Sequence, residues 1–578
     1  MTVLFARLSL LWAFAATPWL LAAGAAPKGD AIARLAWSGG FALLLNTLVP
    51  LSLHAFGVPL TALPMALTHW ALGVAAVCAT LLRGLDPIPA RLGFGRRGAA
   101  LFLVFALAAF PFSHLAGIDT YKWQDLATLV AVEQAIPWLT HPLGVFGYAP
   151  RAYPAMQPLV LATTQILGGL GVDGGFYAVS LLAGLAGLCG MFVCVRRLAG
   201  NERMAGYAAF LYVFSPIFLR YNHWATGRGL FLALFPLYLA GLADKRRLRR
   251  LAAALAGAPA LLLTHRVALP TLALLATAGA AAALTPWDRL AARLPDGQTK
   301  RAAFRLLVAM PFLMAGLALS EPLALPFPLD RAAGFAMRLL TQMGPILVPA
   351  AFGLFGTDTV WTRPWRVWTL LGLFACAVSG GTMYAALPAL FPVCLWAAIG
   401  LDKRSPVRTQ EGGPLLGRAT VRARMAAACL FLCGAAALSV VMRRHANATP
   451  RRIREAARFL DAYDPYGPFM LQAPDERART AMQAYVRGCP RPDFRSLSRP
   501  RPAPPPRTPW RQPRRALAAW IAYGRRLVRF DNEPAAAYYG KNPKVYRVIL
   551  DPAPNVHVPN GRRIYSENGV DIYEIYLQ

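Results

Sequence analysis

Charge is scarce in this chain of 578 residues, where only 15% are Asp, Glu, Lys or Arg. Soluble chains of that length carry clearly more, about a quarter, so an ordinary aqueous globular protein is excluded. Cysteine is scarce as well. Seven of the eight (Cys78, Cys189, Cys194, Cys376, Cys394, Cys429 and Cys433) fall in apolar runs, where the thiol behaves as a small hydrophobe. Cys489 stands alone in the polar tail, so the tail has no internal disulfide, and no spacing of metal-ligand type occurs. Cys429 and Cys433 share a helix face at i, i+4 as packing residues. No clear internal repeat is visible either, which counts against a transporter built from repeated halves.

What the chain has in abundance is apolar sequence. Hydrophobic residues make up 56% of it, and runs of roughly 20 residues, each able to cross a ~30 Å hydrocarbon core, recur up to about residue 442. The candidate spans are 3–25, 31–55, 59–82, 98–116, 175–195, 205–219, 228–243, 250–263, 267–286, 306–324, 338–356, 367–380, 383–400 and 425–442. The expected class is therefore an all-α polytopic membrane protein of about 14 transmembrane helices. The first 27 residues have small residues before Pro27, as a signal peptide does, but a poorly charged start; a retained first helix is the expectation.

The formal net charge of +33 does not indicate nucleic-acid binding. Most basic residues sit in short loops between apolar runs, where Lys and Arg set topology. "LRGLDPIPARLGFGRR", "RRLAGNER", "DKRRLRR" and "LDKRSPVRTQEGGPLLGRATVRAR" read as cytoplasmic. That leaves 117–153, 220–228, 264–266, 325–337 and everything after 443 on the outer side, provided that 153–171 does not span. This stretch, with Gln157, Thr163, Thr164 and Gln165 and opened by prolines, is expected to lie along the interface or to re-enter partway. The organisation expected is N-terminal helices (1–97), a transmembrane unit (98–442) containing the outer loop and juxtamembrane helix (117–171), and an external region (443–578). In that last region a Pro/Arg linker, 496–515, interrupts a small α+β fold whose strands are "KVYRVIL", "RRIYSE" and "GVDIYEIYL", the last two turning at "ENG".

Three polar constellations gather on the outer side. In "GIDTYKWQDL", Asp119 follows the end of an apolar run, with Tyr121, Trp123 and Asp125 close behind; Tyr148, Arg151 and Tyr153 lie on the approach to the juxtamembrane helix. A carboxylate there suits a general base acting on a hydroxyl at the bilayer surface, and it equally suits a helix cap. Both readings are open from position alone. In "RYNHWATGR", Arg220, Tyr221, His223 and Arg228 lie between two spans. Guanidinium groups there suit a phosphate, which they grip through paired hydrogen bonds, or snorkel to headgroups. In "THRV", His265 and Arg266 make a polar turn: the arginine suits a second phosphate contact, the histidine a structural hydrogen bond or a phosphate contact.

An Asp closing a helix, an aromatic outer loop, a "Y-P-x-x-x-P-L" helix start and "RRLAGNERMAGYAAFLYVFSP" together resemble the GT-C superfamily of membrane glycosyltransferases, over roughly 98–300. The superfamily includes protein O-mannosyltransferases, aminoarabinose transferases and oligosaccharyltransferases. The resemblance implies Asp119 as catalytic base, a polyprenyl-phosphate-linked sugar as donor, an extracytoplasmic glycan, lipid or protein as acceptor, and no separate cofactor. It implies a bacterial inner membrane with the C-terminal region in the periplasm. Two departures stand out. Thr120 occupies the place where many relatives carry a second acidic residue, and "RYNHWATGR" lacks the carboxylates that help hold a metal in the oligosaccharyltransferase branch. The implied enzyme is metal-independent; a non-catalytic scaffold in envelope assembly, or a lipid or glycan transporter, is the alternative.

Overall fold

The computed structural model describes residues 2–27, 30–85, 118–136, 154–284, 346–356, 386–402, 451–464, 469–473, 544–550, 561–568 and 570–575, with a few isolated positions between them. The first span is α1 (Thr2–Leu11), a widened π-helical turn (Trp12–Ala16) and α2 (Thr17–Ala25). Then come α3 (Ala31–Ala55), α4 (Ala62–Leu82), α5 (Ile118–Glu133), α6 (Met156–Gly168) and α7 (Val172–Ala199). Next are α8 (Glu202–Val213), α9 (Pro216–His223), α10 (Gly227–Leu242), α11 (Arg247–Leu262) and α12 (Ala268–Leu284). The last apolar helices are α13 (Leu347–Gly356) and α14 (Ala386–Leu401). Among the described residues, four helices are long and apolar enough to cross a bilayer: Arg7–Ala25, α3, α4 and α7. The protein is an integral membrane protein.

The basic loops come together at one end of the bundle, as the charge pattern requires. Asp30 caps α3 by accepting from the Ala33 N–H and pairs with Arg196 in the last turn of α7. Arg197 meets Asp244 at 3.2 Å, Arg249 donates to the carbonyl of Gly24, and Asn201 binds Asp402. The segments after α2, α7, α10 and α14 are thus tied together by groups that would be costly anywhere deeper in lipid.

Several expected elements take a different form. The span at 205–219 is broken in two, because Ser215 caps a new helix, accepting from the Phe218 N–H, with Pro216 at its first position. The outer loop is not loop throughout: 118–133 is the helix α5. Its residues are buried almost all round, Tyr121, Trp123, Gln124, Asp125, Leu126 and Val130 among them. The stretch at 153–171 does form a helix, but α6 does not lie on a surface. Met156 through Thr164 are all buried, packed against α3, α5 and α7. Thirteen residues rise only about 20 Å, short of a hydrocarbon core, so α6 does not span; its threonines return their hydroxyls to main-chain oxygens, which makes interior packing cheap. The expected spans 98–116, 306–324 and 425–442, most of 367–380 and the linker 496–515 lie outside the described residues.

The C-terminal region is α+β. Helix α15 (Arg451–Tyr463) is strongly amphipathic, and Ile453, Ala456, Ala457 and Leu460 form its buried stripe. It lies on a four-stranded sheet of β1 (Phe469–Gln472), β2 (Lys544–Leu550), β3 (Gly561–Glu567) and β4 (Val570–Ile575), in the order β1-β2-β4-β3. β1 and β2 are parallel and the other pairs antiparallel. The β3–β4 hairpin turns at Asn568, whose φ of 52° is the left-handed conformation asparagine tolerates. Tyr546 of β2 donates to Asp464 at the end of α15 over 3.0 Å.

Candidate functional site

The site is built on the end of the bundle opposite the basic loops. Helix α9 ends at His223, and the chain turns through Trp224, Ala225 and Thr226 into α10. Ala225 adopts φ 40°, and the turn closes with Ala225 N–H donating to Asn222 O at 2.9 Å. Two glycines let this turn fold so tightly. A Cβ on Gly229 would stand 2.6 Å from the carbonyl oxygen of Tyr221, and one on Gly227 would stand 2.3 Å from that of Thr264. Main chain from the α9–α10 and α11–α12 turns therefore touches directly.

This packing presents arginines on aromatic faces. Arg220 lies over the Trp224 ring at 4.5 Å, and Arg228 over the Tyr221 ring at 5.0 Å. The two rings meet edge to face, 6.2 Å apart at 87°. A guanidinium stacked on a ring directs its N–H fork along the plane of the group, away from the ring face, an orientation that suits bidentate contact with phosphate. Arg220 is exposed, Arg228 half-buried.

His265 joins this group from the α11–α12 turn. Its Nδ1 accepts from the Val267 N–H at 3.1 Å, so the neutral ring carries its proton on Nε2. Burial, then the charges of Arg228 and Arg266, push its pKa down to about 3. The ring is thus a neutral Nε2–H donor between two cations, and Arg266 beside it is exposed.

Helix α5 delivers its first turn to the same place. Thr120 donates its hydroxyl to the carbonyl of Trp224 at 2.9 Å, which sets the backbone of Asp119, the second residue of α5, beside the arginine-bearing turn. Trp123 reaches further in, its ring edge 3.5 Å from where a Cβ on Gly227 would stand. Met156 N–H donates to Leu263 O at 2.9 Å, so the start of α6 adjoins the same turn.

No protein-family model and no curated protein matches the chain. Among solved structures, ArnT from Cupriavidus metallidurans in the apo state aligns with a TM-score of 0.50 at 14% identity, over 82% of this chain and 96% of that one. The fold is GT-C-like. ArnT from the same organism bound to undecaprenyl phosphate aligns with a TM-score of 0.49 at 12% identity, over 82% of this chain and 97% of that one. The oligosaccharyltransferase of Archaeoglobus fulgidus in complex with Zn and sulfate gives 0.42 at 11%, over 68% and 62%. At these identities the likeness is one of fold.

Within this GT-C-like fold the residues singled out from sequence divide into three groups. Arg220, Tyr221, Arg228, His265 and Arg266 are brought together, with the backbone of Asp119 and the ring of Trp123 alongside. Tyr121 points elsewhere, into a buried cluster with Phe176, Ala225 and the stripe of α15, where it serves packing; Asp125 and His223 are also buried. Tyr148, Arg151 and Tyr153 lie outside the described residues. Sequence reasoning passed over Gln124 and Gln157 as site residues. Both are buried, beside Trp123 and Met156 respectively, and among the described residues no atom of either amide has a hydrogen-bond partner. The only signal was a polar residue within an apolar helix, which Thr163 and Thr164 also give while being fully bonded internally.

Proposed function

We propose that the protein moves a sugar from a polyprenyl-phosphate carrier to a hydroxyl acceptor at the outer face of a bacterial inner membrane, with the C-terminal α+β region in the periplasm. The observation that carries this reading is the junction of the first turn of α5 with the arginine-bearing turn, through Thr120 and Trp224. It supports reading the helix turn that includes Asp119 and the turn between Arg220 and Arg228 as parts of one site. ArnT, whose apo form aligns with this chain, has been solved with undecaprenyl phosphate, a lipid of the kind the arginines suit.

In this mechanism the carboxylate of Asp119 takes the acceptor proton as the acceptor oxygen attacks the anomeric carbon. The bond from that carbon to the phosphate oxygen breaks on the opposite side, so configuration inverts, and the electron pair leaves with the lipid phosphate. Arg220, Arg228 and Arg266 hold the charge that develops, and the Nε2–H of His265 adds a neutral donor. The proton leaves Asp119 for solvent once product departs. Positive charge from arginines here fills the role of a divalent ion. Gln124 and Gln157 supply amides able both to donate to and to accept from sugar hydroxyls.

The test is Asp119→Asn beside wild type, at matched membrane expression in a deletion strain, scoring envelope glycans and glycolipids. Loss of one glycan with normal protein level is the expected result. Full rescue by the variant would remove Asp119 as base and favour a non-catalytic scaffold, a reading to which Thr120 lends weight because it stands where a second acidic residue is common in the superfamily.

A further inference from the structure

Thr120 and Tyr121, which follow Asp119 in the first turn of α5, have different attachments. Asp119 is the candidate base. Thr120 is bonded to the Trp224 carbonyl in the membrane part. Tyr121, fully buried, is packed in a cluster with Ile453, Ala456 and Leu460 of α15 and with Tyr546 and Ile572 of the sheet. Ala225, the left-handed residue of the turn between Arg220 and Arg228, belongs to that cluster too. The C-terminal unit therefore shares one buried cluster with both halves of the candidate site: the helix bearing the base and the turn bearing the arginines.

A polar latch secures the contact. Tyr485 of the C-terminal region donates its hydroxyl to Asp173 Oδ1 at 3.0 Å, and Arg458 of α15 stands 3.8 Å from Asp173 Oδ2. Asp173 lies in the first turn of α7, three residues before Phe176 of the same buried cluster. Burial and the Asp173 carboxylate both push the Tyr485 hydroxyl up, so it remains a donor throughout the working pH range. Aromatic burial and a charge-assisted hydrogen bond side by side make a rigid joint.

We propose that the C-terminal α+β unit is a positioning element of the transfer site, holding the first turn of α5 against the Trp224 turn through Tyr121 and the Tyr485–Asp173 hydrogen bond. The inference rests on the reading of Asp119 as base and adds how that base is held. Tyr121 and Tyr485 are positioning residues in it, and neither touches substrate.

The experiment uses the full-length protein in detergent, wild type against Tyr485→Phe and Tyr121→Leu, and reads amide hydrogen exchange over 118–124. Exchange there should rise about tenfold in Tyr485→Phe, the loss of one charge-assisted bond, while α3 and α7 keep their protection. Glycan output should fall in parallel at matched expression. If Tyr121→Leu fails to fold, the milder Ile453→Val, on the α15 side of the same cluster, takes its place as the packing probe. Unchanged exchange over 118–124 in both variants would overturn the proposal, as would faster exchange throughout the bundle. Faster local exchange with undiminished glycan output, in a strain where Asp119→Asn abolishes it, would also overturn positioning while leaving the base intact. Undiminished output in Asp119→Asn itself would instead bring down the base reading and this role with it.

Discussion

The hydroxyl of Thr120 donates to the main-chain oxygen of Trp224 across 104 residues of sequence, over 2.9 Å. One hydrogen bond thus joins the helix that opens with the candidate carboxylate to the turn that carries the candidate phosphate contacts. Thr120→Val keeps the shape and removes the bond. Glycan output should drop about tenfold, since an ångström of misplacement suffices for losses of that size or more. Asp119→Asn should lose about a hundredfold or more, the usual contribution of a general base. Equal output from Thr120→Val and wild type would show that the junction does not bear on turnover.

The arginines should not tolerate lysine. Arg228→Lys keeps the charge but gives up both the stacking on Tyr221 and the forked donor geometry. Stabilisation of the purified protein by undecaprenyl phosphate should require about tenfold more lipid in this variant, and similarly in Arg220→Lys. Undiminished stabilisation in both would mean that these side chains serve bulk headgroups.

His265 sets a pH dependence whose sign is fixed by its lowered pKa. With a folded value of about 3 and an ordinary value of 6.5, the unfolded chain takes up a proton between those limits while the folded chain does not. Stability therefore falls as pH drops from about 6.5 towards 3 and is unaffected by this group above that window. His265→Gln should flatten that part of the curve, measured as Tm against pH relative to wild type. An unchanged slope would mean that the ring is already protonated in the fold.

The amides of Gln124 and Gln157 make opposite predictions for stability and binding. Replacing a buried amide without a partner by an apolar group of similar size is neutral or stabilising. Gln124→Met and Gln157→Met should therefore keep or raise the Tm of the unliganded protein. Both should lessen the additional stabilisation that a sugar-bearing lipid phosphate provides over bare undecaprenyl phosphate. A lowered Tm with binding intact would mark the two as hydrogen-bonded core residues.

Much of this layout was legible in the sequence because the signals are local. Apolar length marks a span whatever surrounds it, and α3 occupies 31–55 as read, capped by Asp30. The "ENG" turn follows from the backbone tolerance of Asn568, and the α15 stripe from its period. The basic loops gather at one end because charge is costly in lipid wherever it sits along the chain. Arg220, Arg228, His265 and Arg266 could be chosen for the same reason, as polar groups at helix ends.

Tertiary structure decided what no local signal encodes. The sequence of α5 is compatible with a solvated outer loop, and it is the bundle on one side and the α15 stripe on the other that bury it as a helix. Tyr121 and Trp123 are both aromatic and two residues apart, yet one faces the C-terminal sheet and the other the Gly227 turn. Gly227 and Gly229 look like ordinary loop glycines until the carbonyls of Thr264 and Tyr221 are found against them. Composition and period record what each residue prefers on average, so they determined a membrane bundle with basic loops on one side and polar turns on the other. Which polar turns meet, and which polar atoms are left without a partner there, depends on contacts such as Gly227 with Thr264 and Thr120 with Trp224 between residues well separated in sequence, and only the packed chain specifies those.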